Sequence, residues 1–305
     1  SARSGEPRAA RKPERPAQPV YEDAHAAPRK KKKSKMSTPV RVVLILLLVV
    51  VLLVGAALAA YDAIWPRQSG TNVLTSKSLV VDASNASQGY IMARGDAGNK
   101  RLKLRVTQGR YKLTYDLNTS GDYEVFPLQL GDGSYTVELF ENVSGKKYSA
   151  EGKVSVNVKL DDPYAPFLGP NQYVNYTPDT EAVQTSYELC AGMTDPQEIF
   201  ETVQAYIKAN YLYDYVKAET VKSGTLPDID GCYESKMGIC QDLAAMAACM
   251  LRVQGIPTRL MIGYAGKMYH AWNTVIINGE EVLYDPTLEL SAIDSGLTYT
   301  VERYY

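Results

Sequence analysis

Hydrophobic residues change their spacing three times along the chain, and each change marks a boundary. Residues 1–38 hold hardly any large apolar side chain and are rich in Pro, Ala, Arg and Lys. They have nothing to bury and read as a disordered tail. Residues 42–60, "VVLILLLVVVLLVGAALAA", then run for 19 positions without a charge. At 1.5 Å per residue this is about 30 Å, one hydrocarbon thickness, and it predicts a single transmembrane helix over 39–61.

From about 76 to 160 the apolar positions alternate. "SLVVDA", "GYIMAR", "RLKLRVT", "YKLTYDL", "YEVFPL", "SYTVELF" and "KVSVNVKL" are separated by Gly, Asn, Asp and Ser. Period two with such turn residues between runs predicts strands. Seven of them without an intervening helix predict an antiparallel β-sandwich over 76–160. It is immunoglobulin-like in architecture only, because the Cys…Trp…Cys pattern is missing. The Pro-rich, aperiodic stretch 161–179 reads as a linker or strap.

The spacing becomes helical after residue 180. "TEAVQTSYELCAGM" (180–193) and "DPQEIFETVQAYIKANYLY" (195–213) are amphipathic, and Asp195-Pro196 caps the second. In "CQDLAAMAACMLRVQG" (240–255) apolar residues recur at three and four, which marks a buried face, and Gly255 supplies the stop. "TRLMIGYA", "YHAWNTVII" and "EEVLYDPT" then read as strands. Helices followed by an antiparallel sheet give an α+β domain over 180–305.

Charge adds direction to this layout. The formal net charge is −1, but residues 1–41 hold 12 basic against 4 acidic residues, leaving 21 basic and 30 acidic beyond them. The acidic remainder excludes nucleic acid as a partner. "RKKKKSK" (29–35) and Arg41 flank the apolar run on one side, which predicts a single-pass protein with its N-terminus cytoplasmic and its C-terminal domains extracellular. Ala57-Leu58-Ala59 resembles a signal-peptidase site, but the leader and the apolar run are both long for a signal peptide.

The candidate chemistry starts from scarcity. The chain has two histidines, and His25 lies in the tail, so His270 is the ring available for acid–base work near neutral pH. Cys240 falls in the first turn of its predicted helix, where the macrodipole and free N–H groups favour a thiolate. Asn278-Gly279 is a strong hairpin signal of type I′. It sets Ile277 opposite Glu280, and it places Asp285 on the sheet face of His270, diagonally across and within reach. Nucleophile, base and orienting carboxylate thus occur in the order Cys, His, Asp.

"GICQDLAAMAACMLRVQGIPTRLMIGYAG" with "YHAWNTVIINGEEVLYDPT" closely resembles the core of the transglutaminase-like superfamily, here of a bacterial, membrane-anchored type. The resemblance covers 180–305 at most. It implies a papain-related fold, with a Cys-bearing helix packed on an antiparallel sheet that carries His and Asp. It makes Cys240 the acyl-accepting nucleophile, His270 the general base and acid, and Asp285 the imidazole orienter. An upstream aromatic completes the oxyanion hole in many relatives, with Tyr211 and Tyr213 as the candidates here. Trp272 is the candidate for the substrate pocket.

No metal or cofactor is expected, since there is no Cys-x-x-Cys and no second histidine nearby. Asp242 is expected to complement the helix N-terminus. A Cys190–Cys232 bridge and separate buried thiols are equally open. The expected function is a membrane-anchored, extracytoplasmic cysteine enzyme, a transamidase or peptidase, acting through a Cys240 thioester on a protein or peptide substrate, cell-wall material included. The alternative is an inert surface module that binds on the same fold.

Overall fold

The computed structural model describes residues 38–63, 65–96, 98, 100–291 and 296–305, so the expected tail falls almost wholly outside the described residues. The apolar run forms one helix, α1 (Thr38–Ala63), long and apolar enough to cross a membrane. Its Val, Leu and Ile side chains from 42 to 54 are exposed on all sides.

Eight strands follow: β1 (Val73–Ser76), β2 (Leu79–Asp82), β3 (Tyr90–Gly95), β4 (Leu102–Gln108), β5 (Tyr111–Leu117), β6 (Glu124–Pro127), β7 (Gly133–Ser144) and β8 (Lys147–Val158). They make two four-stranded antiparallel sheets, ordered β1-β2-β3-β6 and β5-β4-β7-β8. The alternation in the sequence becomes alternation in burial: Leu102, Leu104 and Val106 of β4 face inward while Lys103 and Arg105 do not. β1 was not expected, because its four residues precede the first alternating run. The two sheets meet closely at Gly152 of β8, where a Cβ would stand 2.4 Å from the Ser76 carbonyl oxygen. No side chain fits there.

Residues 161–179 are packed more than a linker requires. Phe167, Val174 and Tyr176 are buried, around a short 3-10 turn at Ala165–Phe167. Helices α2 (Glu181–Leu189) and α3 (Pro196–Asn210) come next, and the Asp195 side chain accepts from Gln197 N–H as the predicted cap of α3. Short elements lead to the site: β9 (Leu212–Tyr213), α4 (Tyr215–Thr220), α5 (Ile229–Ser235) and β10 (Met237–Gly238). The remaining elements are α6 (Cys240–Arg252), β11 (Thr258–Ala265), β12 (Met268–Ile277), β13 (Glu280–Tyr284), α7 (Pro286–Ser291) and β14 (Tyr299–Tyr304). Their antiparallel sheet runs β13-β12-β11-β14.

Helix α6 is the centre of this part. Every residue from Asp242 to Arg252 is buried. It ends three residues earlier than its periodicity predicts, because Gly255 adopts φ +77° and closes the end. There Ile256 N–H donates to Leu251 O and Gly255 N–H to Arg252 O, the paired bonds of a Schellman stop. Asn273 on β12 donates from Nδ2 to the Ala244 carbonyl (3.0 Å), pinning helix to sheet.

Arg252 binds four segments together. Its Nε and Nη2 donate to Thr258 O (2.9 and 2.7 Å), Nη1 to Gly169 O (2.7 Å) and Nη2 to Tyr305 O (2.9 Å). Burial lowers its pKa to about 10, so it stays charged at neutral pH. Replacing it with leucine leaves Thr258 O and Gly169 O without their donor, while Tyr305 O keeps Leu260 N–H, and the expected loss is about 3 kcal/mol of unfolding free energy, read as a lowered denaturant midpoint.

Candidate active site

The cysteine is placed by the turn before its helix. β10 pairs in parallel with β9, setting Gly238 beside Tyr213. A Cβ on Gly238 would lie 2.6 Å from Cys232 Sγ and 3.1 Å from Asp242 Cβ, so the backbone passes through a gap only glycine fits. Asp242 is fully buried and serves the helix start. Its carboxylate accepts from Ile239 N–H (3.0 Å) and Asp228 N–H (3.0 Å) and pairs with Lys217 (2.7 Å). Cys240 emerges half-buried in the first turn, where the N–H groups of the first helical residues have no partner within the helix.

The histidine and the aspartate come from the hairpin. Asn278 and Gly279 take φ +52° and +86°, and Ile277 pairs with Glu280, Asn273 with Tyr284, in the expected register. The expected strand to residue 287 stops at Tyr284, because Pro286 has no N–H for a ladder and is suited to begin a helix. Asp285 therefore becomes the cap of α7: its Oδ1 accepts from Thr287 N–H and Leu288 N–H, both at 3.1 Å. Its Oδ2 accepts from His270 Nε2 at 2.7 Å. A carboxylate only accepts, so Nε2 carries the hydrogen and Nδ1 is left to face the thiol of Cys240, which lies within hydrogen-bond reach of the ring.

His270 is 3% exposed, and burial works against its charge. The bonds to Asp285 and Cys240 outweigh burial and lift its pKa to about 9. The ring thus holds its second proton at neutral pH. Folding gains fully from this below about pH 6.5, and the gain disappears as pH rises through about 9.

One partner of the carboxylate was not foreseen. Tyr299 of β14 donates its hydroxyl to Asp285 Oδ2 at 2.8 Å. Its ring also lies 4.8 Å from Trp272. The alternating "YTVERY" could have flagged a strand here, but nothing local assigns its pairing.

Cys240 and His270 open on a cavity of about 420 Å³ that Tyr173, Tyr213, Tyr269 and Arg303 also line. The two oxyanion candidates separate. Tyr213 faces this cavity, and burial followed by the nearby Cys240 sulfur raises its pKa. Tyr211 is buried, receives a bond from Lys236 Nζ (3.2 Å) and packs against Tyr206. Trp272, the candidate for the substrate pocket, is 2% exposed, its ring nearly parallel to that of His270 at 6.3 Å, and it is not among the residues that line the cavity. Cys190, Cys232 and Cys249 are buried free thiols, so the Cys190–Cys232 bridge does not form. Burial pushes the Cys232 thiol up to about 12, which keeps it protonated and inert.

One family model, that of the transglutaminase-like superfamily, matches residues 183–286, the stretch from α2 to the first residue of α7. The chain carries a transglutaminase-like domain. Three solved structures of low identity are also similar to this chain. A "putative cysteine protease" from Cytophaga hutchinsonii is 15% identical (TM-score 0.37), over 74% of this chain and 80% of that one. A "putative protease" from Parabacteroides distasonis is 12% identical (TM-score 0.33), over 68% of this chain and 62% of that one. A structure described as "a TGase" is 15% identical (TM-score 0.33), over 52% of this chain and 45% of that one. No curated protein matches. In the transglutaminase-like domain, helix α6 presents the cysteine and the hairpin β12–β13 presents the histidine and the aspartate.

Proposed function

We propose that the chain is a membrane-anchored cysteine enzyme that cleaves or transfers amide bonds outside the cytoplasm. Helix α1 is its anchor, the two sheets of residues 73–158 form a β-sandwich module, and residues 180–305 do the chemistry. The observation that carries the reading is the buried His270 ring held between the Cys240 thiol and the Asp285 carboxylate.

An imidazole that keeps its proton at neutral pH stabilises a thiolate beside it. Cys240 Sγ attacks the carbonyl carbon of an amide, and negative charge collects on the carbonyl oxygen. The N–H groups at the start of α6 and the Tyr213 hydroxyl are the donors for that charge. His270 passes its proton to the amide nitrogen, the C–N bond breaks, and an amine leaves a thioester on Cys240. His270, now neutral, takes a proton from the incoming amine or water as it attacks the thioester. Asp285 keeps the ring in one tautomer throughout. Transamidation and hydrolysis differ only in which nucleophile reaches the thioester.

Alkylation with iodoacetamide near pH 6, followed by peptide mapping, is the test. Cys240 is expected to react far ahead of the buried Cys249 and to lose that advantage in His270→Ala. Equal reactivity of the two thiols would leave an inert binding module. Where turnover is measured, kcat/KM is expected to fall on the alkaline side with an apparent pKa near 9, as His270 loses the proton that the leaving amine needs.

A further inference from the structure

The cavity at Cys240 continues into a larger groove. Tyr173 and Arg303 line both, and the groove, about 800 Å³, runs on between β14 and the outer strand of a sheet in the first part of the chain. That outer strand is β5, with Tyr111, Lys112 and Thr114 on the groove and Tyr304 opposite.

The two-residue turn at Gly109-Arg110 pairs Gln108 with Tyr111. Residues 111, 113, 115 and 117 therefore exchange hydrogen bonds with β4, and residues 112, 114 and 116 point theirs away from the sheet. At Asp116 the outward pair is filled. The Gln172 side-chain amide accepts from Asp116 N–H (3.1 Å) and donates to Asp116 O (2.7 Å), the two bonds a neighbouring peptide unit would make. At Lys112 and Thr114, among the described residues, no hydrogen bond reaches the outward N–H and C=O. These sites recur at the two-residue repeat of an extended polypeptide, about 6.8 Å, and demand alternating donors and acceptors. A polypeptide meets that demand along its whole length.

Resting on the reading of Cys240 as the nucleophile, we propose that the substrate is a protein, and that an extended segment of it adds to β5 as a fifth strand of that sheet. The segment continues past Tyr173 and Arg303, which brings its reactive amide to Cys240. Gln172 closes the far end of the edge and fixes where the added strand stops. The affinity comes from the peptide backbone, so the groove selects for unfolded or extended segments more than for particular side chains.

The experiment measures binding to the full chain carrying Cys240→Ala, in detergent, by fluorescence anisotropy. The probe is a fluorescein-labelled peptide of about twelve residues, roughly 40 Å when extended, alternating Val and Thr around a central Gln. Its counterpart is N-methylated at every backbone amide and keeps the side chains. The methylated peptide is expected to bind at least about tenfold more weakly, the loss of the two hydrogen bonds its N–H groups would give to Lys112 O and Thr114 O. Thr114→Pro, which removes one outward donor on an edge strand that tolerates proline, is expected to weaken the parent peptide several-fold with the melting temperature held. Equal affinity for the two peptides, or no binding of the parent, overturns the proposal. Because the binding chain lacks the nucleophile, these results stand apart from the chemistry. Failure to trap an acyl-enzyme on the wild-type chain would sink the function proposed above and leave the groove as a peptide-binding site.

Discussion

Cys240→Ala is expected to reduce turnover by at least about 10⁴-fold and to leave no covalent adduct on the chain. The residue sits half-buried at the start of α6, and no second sulfur can substitute for it. Cys232 is buried and held protonated, and Cys249 lies deep in the same helix. Intact-mass spectrometry after incubation with a glutamine-containing peptide reads the result directly. A chain that still acquires the acyl mass without Cys240 would remove the thioester from the mechanism. The fold should be indifferent, since alanine at the first turn keeps helix propensity and opens no cavity beyond the existing one.

Asp285→Asn isolates the orienting carboxylate. Asparagine caps helices as well as aspartate does, so the bonds from Thr287 and Leu288 persist and α7 keeps its start. What changes is the partner of His270 Nε2. An amide can turn its NH₂ toward the ring, and the ring must then accept at Nε2 and carry its hydrogen on the nitrogen that faces the thiol. The expected outcome is a fall of about 10²–10⁴-fold in kcat with little change in melting temperature. The alkaline limb near 9 should also move down, because the bond to Asp285 is the first of the interactions that lift the ring above its ordinary value. A variant that loses activity while the limb stays in place would show that Asp285 acts by some other route.

The pairing of His270 with Asp285 was legible in the chain, for a local reason. A type I′ turn at Asn278-Gly279 fixes register over its whole hairpin, so a parity count from two residues located a carboxylate 15 positions from the ring. The count survived even though β13 ends at Tyr284, because the chain turns only after Asp285 has reached the right face. Position along a strand is harder to read than side. Trp272, the pocket candidate, is buried against the Tyr299 ring and does not line the cavity. Tyr299 itself was out of reach. It arrives on β14, paired not to the hairpin but to β11, with a register shift between Ile262 and Gly263 that no residue nearby announces. Arg252 shows the same limit, for a lone cation in an apolar helix does not say which distant carbonyls will surround it.

β14 lies at the outer edge of its sheet, bonded on one side only, and Gly263 leaves no room there for a side chain: a Cβ would stand 2.0 Å from Thr300 O. Border strands open at lower free energy than the interior of a domain. The Asp285 carboxylate thus depends, through the Tyr299 phenol, on a strand at the border of its sheet.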